Sequence, residues 1–180
     1  MLHTDCESLV LSQEQIAARV RELGAQISAD YAGGEIRFIS ILNGAFIFTA
    51  DLLREISVKC EVDFMQVSSY GDSTCSSGTL KIKRDISMQI ENTDVVIVED
   101  ILDTGYTMRN LLNYLHSKNP RSIRVCTLID KPARRTEDVH AYYSGFTFDE
   151  DLFLVGYGLD YAQKYRNLPY VAVLKPEIYS

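Results

Sequence analysis

Apolar positions along the chain recur with two different spacings. At Ile16, Val20, Leu23 and Ile27 they return every three or four residues, the period of an amphipathic helix. Ser12, with Gln15 three positions on, has the spacing of a capping box and sets the start of that helix. Gly33 and Gly34 end it. Residues 9–11 read as a short strand before it, and residues 35–42, 62–68, 79–84, 123–129 and 170–174 as further strands. A second helix follows residue 45 and carries Phe46, Ile47, Ala50, Leu53 and Ile56. A third carries Met108, Leu111, Leu112 and Leu115, and Asn119-Pro120 stops it.

One further stretch, residues 95–107, organises the rest: Val95-Val96-Ile97-Val98-Glu99-Asp100-Ile101-Leu102-Asp103-Thr104-Gly105-Tyr106-Thr107. The four apolar residues at its start are too few for a buried helix and read as a strand covered on both faces, as in the parallel sheet of an α/β protein. In open α/β sheets the ligand crevice lies beyond the carboxyl ends of the strands. Glu99 and Asp100 stand there, followed by a polar turn that opens a helix. The turn offers the amides of residues 104–107 at a helix N-terminus, where unpaired N–H groups and a partial positive charge suit a phosphate. Gly105 tolerates positive φ and close approach of an anion. Thr104 and Thr107 add hydroxyl donors. Glu99 and Asp100 would repel phosphate and instead suit ribose hydroxyls, or Mg²⁺ bound to the sugar. A sugar phosphate satisfies both halves.

Composition narrows the possibilities. The 180 residues are 46% hydrophobic, enough for one well-buried domain over residues 1–180. The net charge of −7 argues against a nucleic-acid surface. No apolar run approaches the ~18 residues of a membrane span, and the first seven residues are no signal peptide. No membrane contact and a cytoplasmic location are therefore expected. Cys6, Cys60, Cys75 and Cys126 are widely spaced, which disfavours structural zinc and suits reduced thiols. His3, His116 and His140 form no metal motif.

Other stretches are ambiguous by themselves. Asn43-Gly44-Ala45 is a strand-to-helix turn with weak anion-binding character. Residues 69–78, rich in Ser and Gly, read as a linker or as a lid. Lys131 leaves a strand end on the rim that holds Glu99 and Asp100, where a lysine is usually just solvated. Asp149-Glu150-Asp151 reads as a solvated acidic turn, and Phe153 alone as a core residue.

The stretch 95–107 resembles the phosphoribosyl-pyrophosphate (PRPP) motif of the type I phosphoribosyltransferases, and Glu-Asp-Ile-Leu-Asp-Thr-Gly is similar to the hypoxanthine-guanine branch. Val-Gly-Tyr-Gly-Leu-Asp-Tyr and Tyr-Arg-Asn-Leu-Pro-Tyr, in residues 155–170, resemble that branch's C-terminal segment. The likeness runs from about residue 12 to the end. It implies a central, mostly parallel sheet flanked by helices, a small hood formed from N- and C-terminal segments, and a mobile lid loop over residues 69–78.

It also implies roles. Glu99, Asp100, Asp103, Thr104, Gly105, Tyr106 and Thr107 would hold the ribose and its 5′-phosphate. Asn43, Gly44, Ser69, Tyr70 and Arg166 would hold pyrophosphate, with Asn43 standing where many relatives carry Lys or Arg. Lys131 would donate to the 6-oxo group of a purine, Phe153 would stack on the base, and backbone groups near Leu154 and Asp160 would read its edge. Glu99, Asp100 and Asp160 would hold Mg²⁺. Asp103 would be the general base. The implied reaction joins PRPP to N9 of hypoxanthine or guanine, releasing pyrophosphate, in a dimer or tetramer. Alternatives are another base (xanthine, less readily adenine or a pyrimidine) and a regulator of the same fold that senses PRPP without turnover.

Overall fold

A computed structural model describes residues 2–68 and 81–179. Six strands form the main sheet, in the order β4 (Lys81–Arg84), β3 (Lys59–Ser68), β2 (Glu35–Leu42), β5 (Asp94–Leu102), β6 (Ser122–Asp130), β7 (Tyr143–Thr147). All neighbours run parallel except β3 and β4. Parallel strands need both faces covered. Accordingly Val95, Val96, Ile97 and Val98 of β5 are all fully buried, alternately in two apolar clusters on opposite sides of the sheet.

Helix α1 (Gln13–Asp30) starts at the expected capping box: the Gln15 amide donates to Ser12 Oγ, and Gln15 Oε1 accepts from the Ser12 amide. Its predicted stripe of Ile16, Val20, Leu23 and Ile27 is buried. Each such side chain contributes roughly 1.5–3 kcal/mol, an upper figure if the unfolded chain is already compact. Helix α2 (Phe46–Arg54) buries a different face from its apolar list. Phe48, Thr49 and Leu52 point inward, while Phe46 and Ala50 are exposed. Thr49 can be buried because its hydroxyl lies 2.7 Å from that of Ser40.

Strand β7 gave no apolar run in the sequence. Gly145 stands in it because a Cβ there would lie 2.5 Å from the Leu128 carbonyl oxygen of the neighbouring strand. Arg19 of α1 then fastens this edge, donating from Nε and Nη2 to the Gly145 and Ser144 carbonyls at 2.8 Å each.

The hood is a separate antiparallel sheet in the order β1 (Cys6–Leu11), β9 (Val171–Leu174), β8 (Leu154–Val155), followed by the short α4 (Pro176–Tyr179). It joins an N-terminal to a C-terminal segment, as expected. No helix among the described residues is long and apolar enough to cross a membrane. The lid expected at residues 69–78, including Ser69 and Tyr70, lies outside the described residues.

Candidate active site

Strands β5 and β6 run in register from Asp94 beside Ser122 to Leu102 beside Asp130. The loops that leave them therefore start at the same height. Strand β5 continues past its apolar run, so Glu99 and Asp100 lie on the strand and not in the loop beyond it.

After β5 the chain turns into α3 (Tyr106–His116). Gly105 caps this helix at φ +86°, in the left-handed region that glycine enters without strain. A side chain here would also meet Arg135 Cδ at 2.8 Å. The turn closes around a cavity of about 90 Å³ lined by Glu99, Asp103, Thr104, Gly105 and Thr107. Facing the start of α3, it has the character of a compact anion site. Tyr106 is exposed and does not line it.

A second cavity, of about 370 Å³, lies between this turn and the hood. Asp103 and Ile101 line both, so the cavities adjoin. Asp100, Lys131, Phe153, Leu154 and Asp160 also line the larger one. Lys131 is buried, and its ammonium donates to the Leu152 carbonyl at 2.9 Å. That leaves donor capacity for a ligand. Phe153 is exposed at the cavity and is no core residue. Its ring stacks on Tyr179 with centroids 4.5 Å apart and planes 18° apart, and Tyr161 meets it edge-on at 5.6 Å. Neither tyrosine lines the cavity, so both hold Phe153 from outside it.

The acids divide between the cavities. Asp100 faces the larger one and Glu99 the smaller. Burial, then the negative charge and hydrogen bonding of Asp100, raise the Glu99 carboxyl well above its ordinary range. The resemblance implied Mg²⁺ at Glu99 and Asp100 and a second Mg²⁺ at Asp160. Among the described residues no group of three or more His, Cys, Asp or Glu is placed to hold a metal ion by itself. Asp160 is also occupied: Arg166 Nη2 lies 2.8 Å from Oδ1, and the Gln163 amide donates to Oδ2 at 2.8 Å.

Arg166 is engaged within the C-terminal segment. Its Nη1 donates to the Gly158 carbonyl at 2.6 Å, and it does not line the larger cavity. The turn after β2, by contrast, is in contact with both other parts of the site. A Cβ on Gly44 would lie 1.6 Å from Asp100 Oδ2, and one on Gly158 would lie 2.1 Å from the Gly44 carbonyl oxygen. Asn43 follows a cis peptide bond and is exposed.

A family described as "Phosphoribosyl transferase domain" matches residues 8–162. The chain belongs to the phosphoribosyltransferase family. It is 45% identical to the hypoxanthine-guanine phosphoribosyltransferase of Bacillus subtilis over 179 residues, 99% of each chain. A crystal structure of a hypoxanthine phosphoribosyltransferase from Staphylococcus aureus superposes with a TM-score of 0.94 at 45% identity, covering 99% of this chain and 96% of that one. The bifunctional protein TilS/HprT of Listeria innocua is 44% identical over 99% of this chain, which spans 28% of that longer protein.

Sequence reasoning missed three residues of this phosphoribosyltransferase's site. Arg135 donates from Nε to the Asp103 carbonyl at 2.7 Å and from Nη2 to the Leu102 carbonyl at 3.0 Å, with an ion pair to Asp130. Arg134 Nε lies 2.8 Å from Asp103 Oδ1, and its Nη1 pairs with Asp151. Asp151 is thus partnered and lines the cavity, although its acidic turn read as merely solvated. The available signal was the doubled arginine three residues after Lys131, on the same rim.

Proposed function

We propose that this phosphoribosyltransferase acts in purine salvage, transferring 5-phosphoribosyl from PRPP to N9 of hypoxanthine or guanine and giving IMP or GMP with pyrophosphate. The observation that carries the reading is a buried cation, Lys131, and a carboxylate, Asp103, lining one cavity beside a helix-capped anion site. A 6-oxopurine needs both: a donor for its oxygen and an acceptor for the proton it loses.

In this reading the amides of residues 104–107 and the hydroxyls of Thr104 and Thr107 bind the 5′-phosphate. Glu99 and Asp100 accept from the ribose hydroxyls. Phe153 stacks on the base, while backbone groups at Leu154 and Asp160 meet its edge. As the C1′–O bond loosens, positive charge grows on the ribose and negative charge on pyrophosphate. The amide of Gly44 stabilises the leaving group. Arg166 would join it by exchanging Asp160 for phosphate, and Ser69 and Tyr70 are the lid residues of this scheme. Asp103 accepts the purine proton near N7. A carboxylate is a weak base, so its placement counts as much as its basicity.

The hard oxygens of Asp100 and Asp160 on one cavity fit Mg²⁺, which usually keeps waters and takes only one or two carboxylates beside substrate phosphates. When bound, it would neutralise charge on the pyrophosphate.

The test is the relative kcat/KM for hypoxanthine, guanine, xanthine and adenine with PRPP and Mg²⁺. Preference for hypoxanthine or guanine is expected. A preference for adenine, or no turnover with any base, would overturn the reading.

A further inference from the structure

Two consecutive arginines grip Asp103 from opposite ends. Arg135 holds its main-chain carbonyl, and Arg134 holds its carboxylate. The second contact reaches beyond the mechanism outlined above, although it rests on the reading of Asp103 as general base.

Oδ1 of Asp103 is shielded from solvent and makes no well-aligned hydrogen bond among the described residues, yet the side chain as a whole is 42% exposed. The accessible oxygen is therefore Oδ2. A shielded carboxylate oxygen is costly unless charge compensates it, and the Arg134 guanidinium supplies that charge from 2.8 Å. The guanidinium is itself anchored, since its other edge pairs with Asp151 across the cavity mouth. Asp103 is the leading influence stabilising the charged form of Arg134, with Asp151 next. An arginine fork can serve two carboxylates at fixed angles, whereas a lysine ammonium cannot.

We propose that Arg134 is a positioning residue, which pins Oδ1 of Asp103 to the cavity wall and so presents Oδ2 to the proton that the purine gives up. The Asp151 contact sets the angle of the guanidinium, and through it that of the base. Arg134 does not itself receive the proton. Arg134 projects from the same short helical turn that follows Lys131, Pro132–Arg134. The donor to the purine oxygen and the support of the general base thus stand on one short segment.

The test is a double-mutant cycle on kcat, with KM for PRPP measured in parallel. Arg134→Gln alone is expected to lower kcat by about ten- to hundredfold, as for a small misplacement of a reacting group, with KM for PRPP nearly unchanged. In an Asp103→Asn background the same substitution should cost less than about threefold, because the group it positions is gone. Arg134→Lys should recover only part of the loss. Equal losses in both backgrounds, or no loss in the single variant, would overturn the proposal while leaving Asp103 in its role. If Asp103→Asn alone left kcat unchanged, the reading of the base would fail, and the proposal with it. The Arg134 side chain is 40% exposed, and thermal unfolding of each variant would reveal any loss of fold.

Discussion

The carboxylate of Asp100 fills the space that a side chain on Gly44 would need. A Cβ built on Gly44 would stand 1.6 Å from Oδ2 and 2.4 Å from Cγ of Asp100. The glycine is required by contact here and not by backbone angle. Nothing separates the turn after β2 from the end of β5.

Gly44→Ala should therefore force Asp100 or the turn aside. We expect kcat/KM for PRPP to fall by about a hundredfold or more, since displacements near 1 Å at a reacting centre cost that much. Far-UV circular dichroism should stay unchanged. Full activity in Gly44→Ala would show that the turn can shift freely and is not part of the site.

Lys131→Ala removes a buried cation whose ammonium donates to the Leu152 carbonyl. A hydrogen bond from a charged group contributes about 1.5–3 kcal/mol, so KM for the purine should rise by roughly ten- to a hundredfold. KM for PRPP should change by less than about threefold. Equal effects on both substrates would mean that Lys131 holds the hood loop and does not read the base.

Tyr179→Ala removes the ring stacked behind Phe153. Aromatic pairs contribute about 0.5–1.5 kcal/mol beyond their buried area, so purine KM should rise roughly two- to tenfold with kcat little altered. Steady-state kinetics with hypoxanthine and guanine check this. No change in purine KM would mean that Phe153 needs no backing.

Asp63 on β3 accepts from the amides of Phe64, Ser87 and Met88 at 2.6–2.9 Å. Burial opposes its charge, but these donors outweigh burial and hold the carboxyl below its ordinary range. A depressed folded-state pKa adds stability that is present above the unfolded value near ~4 and lost as pH falls through the folded one. Asp63→Asn should cost about 1–3 kcal/mol at neutral pH by urea unfolding, with the gap to wild type shrinking toward pH 3. A gap independent of pH would locate the loss elsewhere.

Much of the scaffold could be read from the chain because burial leaves a period behind it. The all-apolar run of β5 marked a doubly covered strand, and Ser12 with Gln15 marked the start of α1. Gly105 was read as a residue that tolerates positive φ, and it adopts it. Strand β7 escaped because its centre is a glycine, chosen for the closeness of the Leu128 carbonyl and not for propensity. The inward face of α2 escaped for a similar reason: Thr49 is buried by virtue of Ser40, a partner in another element. The rim gave a comparable mixture. Lys131 could be placed there by counting from a strand end, but Arg134, Arg135 and Asp151 matter through partners on other elements, Asp103 above all. No local period records such a meeting.

The alignment of β5 with β6 makes the site a matter of spacing as much as of identity. A single residue inserted anywhere in β6 would leave the buried ladder able to re-form one step along. Lys131 would then point to the far face and take both arginines out of phase with Asp103. Drift in this chain should thus tolerate exchanges of one aliphatic residue for another within these strands far more readily than any change in their length.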